Sequence, residues 1–281
     1  MKKRWLMPLL VALFLLYGIT AKKARAKNSE EIYDITSEAE LAIKYDRCID
    51  AVNILVEKER EDSLSSYQYS LLAKAFSCLE SYQAAIDVYT SLLKKEPDNI
   101  SYTYNRAINY AANQRTGKAF KNCQKLQLLA PKDTFYCTNC SEYAYNTKHY
   151  KEAQIWIERH ISQNPEDSEA QLLLAKVLLQ QKDFNQALLL INSYIAGNPI
   201  NADGYLVRAQ LYEQTQMQRF ASADYKTYLQ INTNDHKIWI AYGNLLIKMN
   251  HTAEACSAFD AAKQHGSLNA GKSLYKYCGK K

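Results

Sequence analysis

Seven cysteines are the residues best suited to chemistry in this chain of 281 residues, and two of them lie three positions apart. Cys137 and Cys140 form a Cys-x-x-Cys motif, the spacing of redox sites that exchange thiols and disulfides in a βαβ context. No strand pattern surrounds the motif, so we expect a spare or intermolecular thiol at Cys137. His149 and His160 follow, but the ligand spacing of a closed four-ligand zinc site is not visible. We therefore expect no metal.

A second motif, Gly266–Ser273, satisfies the phosphate-loop pattern G-x-x-x-x-G-K-[ST]. That loop binds nucleotides only between a strand and a helix of a parallel sheet. Here a helical pattern, Ala253–His265, precedes the motif, and only eight residues follow it. We therefore expect no nucleotide. Gly266 should instead be the left-handed cap at the end of one helix, and Gly271 should lie in the turn to the next.

A repeated element must position these motifs, because four of the five prolines lie 34 residues apart: Pro97, Pro131, Pro165 and Pro199. A constant period of this length indicates one small structural unit that has been copied and stacked. In the first copy, apolar residues recur every three or four positions on both sides of a break near residues 79–81, which predicts two amphipathic helices. Six copies keep one register: Ser66–Asn99, Ile100–Asp133, Thr134–Asp167, Ser168–Asn201, Ala202–Asp235 and His236–Asn269.

The pattern resembles the tetratricopeptide repeat (TPR) family, whose 34-residue helix–turn–helix motif it matches. Trp239, Gly243 and Ala255 in the sixth copy are the closest single matches. The resemblance implies an all-α fold, a right-handed superhelical solenoid of about seven helix–turn–helix units.

Segments on both sides of the six copies complete this solenoid. Residues 28–65 should form a degenerate first hairpin, with helices at Ile35–Ile43 and Tyr45–Arg60. Residues 270–281 should form a short, lysine-rich capping segment, because the outer face of a terminal repeat meets water.

The resemblance also implies a binding surface, since first-helix residues at repeat positions 2, 5, 9 and 12 line the concave face in the TPR family. Aromatic and aliphatic side chains alternate there with few charges, and aromatic rings make good anchors for a protein or an extended peptide. The set consists of Tyr67, Ser70, Lys74, Ser77, Tyr104, Ile108, Phe135, Thr138, Glu142, Tyr145, Leu172, Lys176, Leu179, Leu206, Gln210, Glu213, Ile240, Asn244 and Ile247. The alternative is that several of these residues belong to the core or contact only a terminal helix.

The repeat frame brings six cysteines to matching heights. The second helix of one repeat packs antiparallel to the first helix of the next, so facing residues have repeat positions that sum to about 32. This rule predicts three disulfides, each closing a loop of about 20–30 residues and adding about 3 kcal/mol of stability. They are Cys48–Cys78, Cys123–Cys140 and Cys256–Cys278. Because height alone does not determine the facing direction, buried free thiols are the alternative.

The first 27 residues differ from the repeats. Lys2, Lys3 and Arg4 precede an uncharged apolar run, residues 5–21, which is the arrangement of a secretory signal peptide. Four basic residues follow within residues 22–27, and basic residues there favour retention on the cytoplasmic side. We therefore expect a periplasmic or secreted protein, with an inner-membrane protein anchored by an uncleaved leader as the alternative.

The leader also accounts for the net charge of +6. Residues 1–27 hold seven basic and no acidic side chains, which leaves 28 basic against 29 acidic side chains in the rest of the chain. A body this close to neutral gives no electrostatic reason to bind nucleic acid.

No constellation of catalytic acid, base and nucleophile is visible, so we expect neither an enzyme nor a cofactor. The favoured function is a non-catalytic, exported scaffold that binds a protein or peptide. By analogy between folds, it would support assembly of an envelope or secretion complex. The alternatives are a membrane-anchored cytoplasmic adaptor and a thiol-redox protein using Cys137 and Cys140.

Overall fold

A computed structural model describes residues 29–279, with side chains from residue 35 onward. The predicted leader, residues 1–27, lies outside the described residues, as do the last two lysines. The described part of the chain forms fifteen α-helices and contains no strand, which confirms the expected all-α class. None of these helices is long and apolar enough to cross a membrane.

The helices follow one another through short turns. They are α1 (Ser29–Lys44), α2 (Cys48–Glu61), α3 (Ser66–Cys78), α4 (Tyr82–Lys95), α5 (Ile100–Ala112), α6 (Thr116–Leu129), α7 (Cys137–Asn146), α8 (Tyr150–Gln163), α9 (Ser168–Gln181), α10 (Phe184–Gly197), α11 (Ala202–Gln214), α12 (Gln218–Ile231), α13 (His236–Lys248), α14 (Thr252–Gln264) and α15 (Ala270–Cys278).

Two compact units share these helices, with the boundary between Lys148 and His149. The N-terminal unit contains α1–α7, and the C-terminal unit contains α8–α15. Within each unit every helix packs against the next helix in the chain. Such neighbour-to-neighbour packing is the pattern of stacked repeats, in which each element contacts only its neighbours. The boundary falls inside the third predicted repeat, Thr134–Asp167.

Seven turns between the described helices share one backbone feature. In each turn a non-glycine residue adopts a left-handed conformation, with φ between 55° and 67°. The amide that follows the left-handed residue donates to the carbonyl five residues earlier, as Ser81 does to Phe76 at 2.8 Å and Asp183 does to Leu178 at 2.9 Å. This bond satisfies a carbonyl that the end of the helix would leave free. The seven residues are spaced 34 apart: Asp46, Glu80, Gln114, Lys148, Lys182, Gln216 and Asn250.

Five first helices, α3, α5, α9, α11 and α13, begin after a short polar residue whose side chain caps them, whereas α7 follows Tyr136 and has no such cap. Asn99 accepts a hydrogen bond from the Tyr102 amide at 3.0 Å, and Asp167 accepts one from the Ala170 amide at 3.0 Å. Side-chain acceptors at this place satisfy amides that have no partner inside the helix. Asp235 caps α13 in the same way, although Thr233 replaces the proline of the earlier repeats.

The predicted first hairpin and capping segment both form helices, but with different bounds. α1 begins at Ser29, six residues before the predicted start, and α2 begins at Cys48 instead of Tyr45. The left-handed Asp46 lies between them, two residues before the first residue of α2, so the second helix cannot begin at Tyr45.

An arginine at the same repeat position joins neighbouring second helices in both units. Arg208 donates from Nε and Nη2 to the two carboxylate oxygens of the buried Asp224, each at 2.8 Å, and from Nη1 to Asn192 at 2.8 Å. The hydrogen bond with Asp224 raises the pKa of Arg208. Arg106 instead meets the neutral Asn122 at 2.9 Å, and burial lowers its pKa.

We predict that Gln114→Gly stabilises the protein by about 0.5–1 kcal/mol. A non-glycine residue in the left-handed region costs about 1–2 kcal/mol, and the larger backbone entropy of unfolded glycine offsets part of the gain. Urea unfolding measures the change. Asn250→Gly should gain less, because asparagine tolerates this region. The matched control, Gln124→Gly in the exposed interior of α6, should cost about 1 kcal/mol, and a loss of stability in Gln114→Gly contradicts the prediction.

We predict that Asp224→Ala destabilises the C-terminal unit by about 3–5 kcal/mol, because it leaves the Arg208 guanidinium partly buried without its counter-charge. Asp224→Asn should cost clearly less, since it recreates the Arg106–Asn122 arrangement of the N-terminal unit. Equal losses for the two variants in denaturant unfolding would show that the carboxylate partner does not determine the stability of this contact.

Candidate partner-binding face

The first helices of successive repeats lie side by side in the N-terminal unit. Ser77 Oγ of α3 donates to Asn109 Oδ1 of α5 at 2.8 Å. Asn139 Nδ2 of α7 donates to Tyr104 Oη of α5 at 2.7 Å. These bonds connect residues 32 and 35 positions apart, which is about one repeat. We call the surface formed by α3, α5 and α7 the first-helix face of this unit.

The C-terminal unit has a corresponding face, formed by α9, α11 and α13. Lys248 Nζ of α13 lies 3.6 Å from Glu213 Oε1 of α11, again 35 residues away. Both side chains reach solvent, so this ion pair contributes little stability. It shows that the first helices are aligned within this unit too.

An aromatic pair lies at one end of the N-terminal face. The Tyr104 and Phe135 rings meet edge to face, with centroids 5.3 Å apart and planes at 65°. Phe135 is 77% exposed. Burial raises the pKa of Tyr104, and the bond from Asn139 partly counters this shift, so the phenol is neutral at physiological pH. The pair therefore offers an uncharged aromatic surface that a partner could cover.

Tyr67 provides a second aromatic contact surface in the same unit. Its hydroxyl donates to the carboxylate of Glu40 in α1, and this bond, followed by burial, raises its pKa. Half of the Tyr67 side chain is exposed. The ring is thus held in place at its hydroxyl end while much of its surface faces solvent, which is the arrangement of an anchoring residue.

The predicted face residues differ in exposure. Six are exposed, namely Tyr67, Lys74, Phe135, Glu142, Gln210 and Asn244. Ten are partly exposed, namely Ser77, Tyr104, Ile108, Thr138, Tyr145, Lys176, Leu206, Glu213, Ile240 and Ile247.

Three predicted face residues are buried, so their assignment to a contact surface is wrong. Ser70 is 3% exposed and donates its hydroxyl to the Tyr67 carbonyl at 2.7 Å. Leu172 and Leu179 are 0% and 1% exposed and belong to the core of the C-terminal unit. Repeat position alone does not distinguish a face residue from a core residue, because neighbouring helices cover some of these positions.

Phe135 also differs from the expectation that it lies in a first helix. Asp133 Oδ1 accepts a hydrogen bond from the Phe135 amide at 2.9 Å, and α7 begins only at Cys137. The ring therefore projects from a turn, and Tyr136, with a buried side chain, precedes the helix. This shorter helix explains why Phe135 is so exposed.

Asn109 and Asn139 link neighbouring first helices but were missed by the sequence reasoning. Both are polar residues in first helices and bond across to the neighbouring first helix. Asn109 is buried, and a buried polar side chain needs a partner. An asparagine among the apolar positions of a helix was the signal that could have found it.

The cysteines pair as the repeat frame predicts. The structure joins Cys48 to Cys78, Cys123 to Cys140 and Cys256 to Cys278, with Cα separations of 6.1, 5.5 and 5.8 Å. All three values lie below the separation of about 7 Å beyond which a disulfide cannot form. Each bond links the second helix of one repeat to the helix that follows it.

Cys137 and Cys140 are not paired with each other. Cys140 is bonded to Cys123, and the fully buried Cys137 donates its thiol to the Asp133 carbonyl at 3.6 Å. A thiol that attacks disulfides must be accessible and in part ionised. This geometry therefore does not support the thiol-redox alternative.

One group of side chains among the described residues has metal-ligand atoms within 4.8 Å of one another: Asp46, Cys48 and Cys78. Its two sulfur atoms are bonded to each other. Zinc is bound by cysteine thiolates, which a disulfide does not offer. The group therefore cannot hold zinc while the bond is intact.

The phosphate-loop motif lies across the end of one helix and the start of another. α14 ends at Gln264, and Gly266 has a φ of +89°, as expected for a left-handed cap. The expectation for Gly271 is wrong, because this residue lies in the first turn of α15 rather than in the preceding turn. A nucleotide-binding loop of this kind follows a strand, whereas this motif follows the helix α14.

Comparisons with known proteins agree with the repeat architecture. A family model for subunit 3 of the anaphase-promoting complex, or cyclosome, matches residues 146–218. Human tetratricopeptide repeat protein 16 is 23% identical over 235 residues, which cover 82% of this chain and 24% of that protein. The chain thus spans about a quarter of that relative's length.

Two solved structures show the same fold. A TPR protein from Parabacteroides merdae has a TM-score of 0.68 at 19% identity, covering 90% of this chain and 100% of that one. YrrB, described as a TPR protein with an unusual peptide-binding site, has a TM-score of 0.56 at 16% identity, covering 66% of this chain and 94% of that one. The helices and these likenesses define the fold as that of TPR proteins.

We predict that mild reduction of the native protein opens Cys48–Cys78 about ten-fold faster than Cys123–Cys140, because thiol exchange requires access to a sulfur atom. Cys78 is exposed, whereas Cys123 and Cys140 are 0% and 1% exposed. Alkylation followed by mass spectrometry measures the order. Equal labelling of all six cysteines before unfolding would contradict it.

Proposed function

We propose that the protein is a non-catalytic scaffold that binds a protein or an extended peptide on its first-helix faces. The observation that carries the proposal is the row of partly and fully exposed aromatic and aliphatic side chains on the aligned first helices. In the N-terminal unit, Tyr67, Tyr104 and Phe135 supply the large rings. Rings held at one end lose little entropy when a partner covers them.

The similarity to YrrB supports a peptide ligand, since that protein has the same fold and a peptide-binding site. The faces of this chain carry few charges, and Glu142 and Lys74 have opposite signs. A partner would therefore be recognised mainly through apolar and hydrogen-bonding contacts rather than through its net charge.

We further propose that the repeats act beyond a membrane. The three cysteine pairs support this location, because disulfides persist in oxidising compartments and are rare in reducing ones. The basic and apolar pattern of residues 2–21 supports it as well. A role in assembling an envelope or secretion complex is the finer part of the proposal and rests on analogy between folds.

The experiment for the binding face is site-specific photo-crosslinking in the native cell. A photo-reactive phenylalanine analogue at Phe135 or Tyr67 should form an adduct with one defined partner. The matched control is the same analogue at Leu128, which is 82% exposed but lies at the end of the second helix α6 in the same unit. An adduct of equal yield at Leu128, or none at the face, contradicts the proposal.

The partner recovered in this way then provides an affinity test. Phe135→Ala and Tyr104→Ala should each weaken its binding about ten-fold, because aromatic anchors cost about 1–2 kcal/mol or more when truncated. Leu128→Ala should leave affinity unchanged. Unfolding curves of the three variants show whether a loss of binding reflects a loss of fold.

The cysteines provide the experiment for location. Protein taken directly from cells, unfolded and alkylated without reductant, should show one reactive thiol, that of Cys137. Seven reactive thiols would instead indicate the membrane-anchored cytoplasmic adaptor. This result is independent of the crosslinking result, so the two parts of the proposal can fail separately.

A further inference from the structure

The last 21 residues of the sequence are basic. Residues 261–281 contain five lysines and no acidic residue, whereas residues 28–260 contain 23 basic and 29 acidic residues. Positive charge beyond the leader is therefore concentrated in two stretches: residues 99–132, with six basic and no acidic side chains, and the segment that includes the end of α14 and α15. All five of these basic residues are lysines.

The helix α15 separates its apolar and basic sides. Ala270 and Leu274 are 0% and 2% exposed, and Leu274 packs in the core of the C-terminal unit. Lys272, Tyr275 and Lys276 are exposed and lie three and four residues apart, so they share the outer side of the helix. No acidic residue occurs in α15, so nothing on this helix neutralises its lysines.

Two apolar groups accompany these lysines at the surface. Tyr275 is 66% exposed on the same side of α15. Leu268 is 96% exposed in the turn just before the helix, four residues from Lys272. Folding does not remove the Leu268 side chain from water, so it gains no hydrophobic stabilisation there. Transfer of this side chain into an apolar phase would be favourable.

We propose that this basic end surface, formed by Leu268, Lys272, Tyr275 and Lys276, docks the protein onto an anionic lipid bilayer. Lysines near an anionic membrane are attracted by its surface potential, and each strengthens binding about five-fold. Tyrosine favours the headgroup level, and an exposed leucine can enter the acyl boundary. Charge and apolar insertion together are the two signals that stable membrane association requires.

The lysine-only composition favours lipid over an acidic protein site. Arginine binds carboxylates and phosphates in a fixed two-pronged geometry, whereas lysine acts as a mobile point charge. Lys276 Nζ lies 4.8 Å from the centre of the Tyr277 ring, a contact that does not neutralise its charge. A set of flexible ammonium groups suits a diffuse anionic surface.

The structure offers a matched control in Ile200. Like Leu268, it is the next-to-last residue of its repeat and is almost fully exposed, at 86%. Its surroundings are different, because Asp203 follows it and no lysine lies between residues 183 and 225. If exposure of an apolar side chain were sufficient, both turns would bind lipid equally. The proposal requires binding only at Leu268.

Hydrogen exchange of the full chain on vesicles measures amide protection segment by segment. Lipid binding by another segment therefore does not change the protection measured around Leu268. Vesicles with 30% phosphatidylglycerol should slow amide exchange around residues 266–272 about five-fold or more. Phosphatidylcholine vesicles should not, and 0.5 M salt should remove most of the effect, because it shortens the screening length to a few ångströms. Exchange around residues 198–204 should remain unchanged.

Four variants complete the test. Lys272→Glu combined with Lys276→Glu, and separately Leu268→Asp, should abolish the local protection, while Ile200→Asp should not. These side chains are exposed, so thermal unfolding should be unaffected, and Lys272→Gln with Lys276→Gln provides a milder second variant. Equal protection on both vesicle types, or protection by polyglutamate but not by vesicles, would overturn the proposal. The second result would assign the surface to an acidic protein.

Discussion

The reversal of the chain at left-handed residues every 34 positions is the constraint on which the rest of this structure depends. At each of the seven sites the helix ends, and backbone bonds such as that from Ser81 to Phe76 satisfy its last carbonyls. Within each unit, the next helix then packs against the previous one. Because the interval never changes, the first helices within each unit fall into line, and side chains 32–35 residues apart meet.

Neighbour packing explains where the covalent links are useful. A helix in the middle of a stack has two neighbours, while a terminal one has fewer contacts to stabilise it. Cys48–Cys78 ties the first hairpin to α3, and Cys256–Cys278 ties the terminal helix α15 to α14. Cys123–Cys140 holds α7, which is only ten residues long because Phe135 and Tyr136 lie outside it. Each bond thus adds a covalent link between a second helix and the helix that follows it.

The same alignment produces surfaces of different chemistry. The first-helix faces combine tyrosine, phenylalanine and aliphatic side chains with few charges. This composition suits a protein or extended peptide that contacts several first helices at once. The basic end surface on α15 combines lysines with an exposed leucine, which suits a diffuse anionic layer. The proposed partner site and the proposed membrane site therefore use separate surfaces of the protein.

Much of the fold was predictable because periodicity is a one-dimensional property. The spacing of the prolines set the repeat length, and the repeat length placed Cys123 opposite Cys140 and Cys256 opposite Cys278. Gly266 was identified as a helix cap because only glycine adopts its backbone conformation without strain. These features depend on position along the chain, so they could be read without knowing what packs against what.

The tertiary structure decided which repeat positions are buried and which residues adopt the left-handed turn conformation. Ser70, Leu172 and Leu179 occupy the repeat positions of surface residues, yet neighbouring helices cover them. Glu80, Gln114 and Lys182 carry no sign of a left-handed turn, since the packing of two helices imposes it on whichever residue stands there. The sequence by itself thus determined the period, the helix pairs and the cysteine partners. Only the tertiary structure decided which side chains remain exposed to a partner, because exposure depends on neighbours that are distant in the chain.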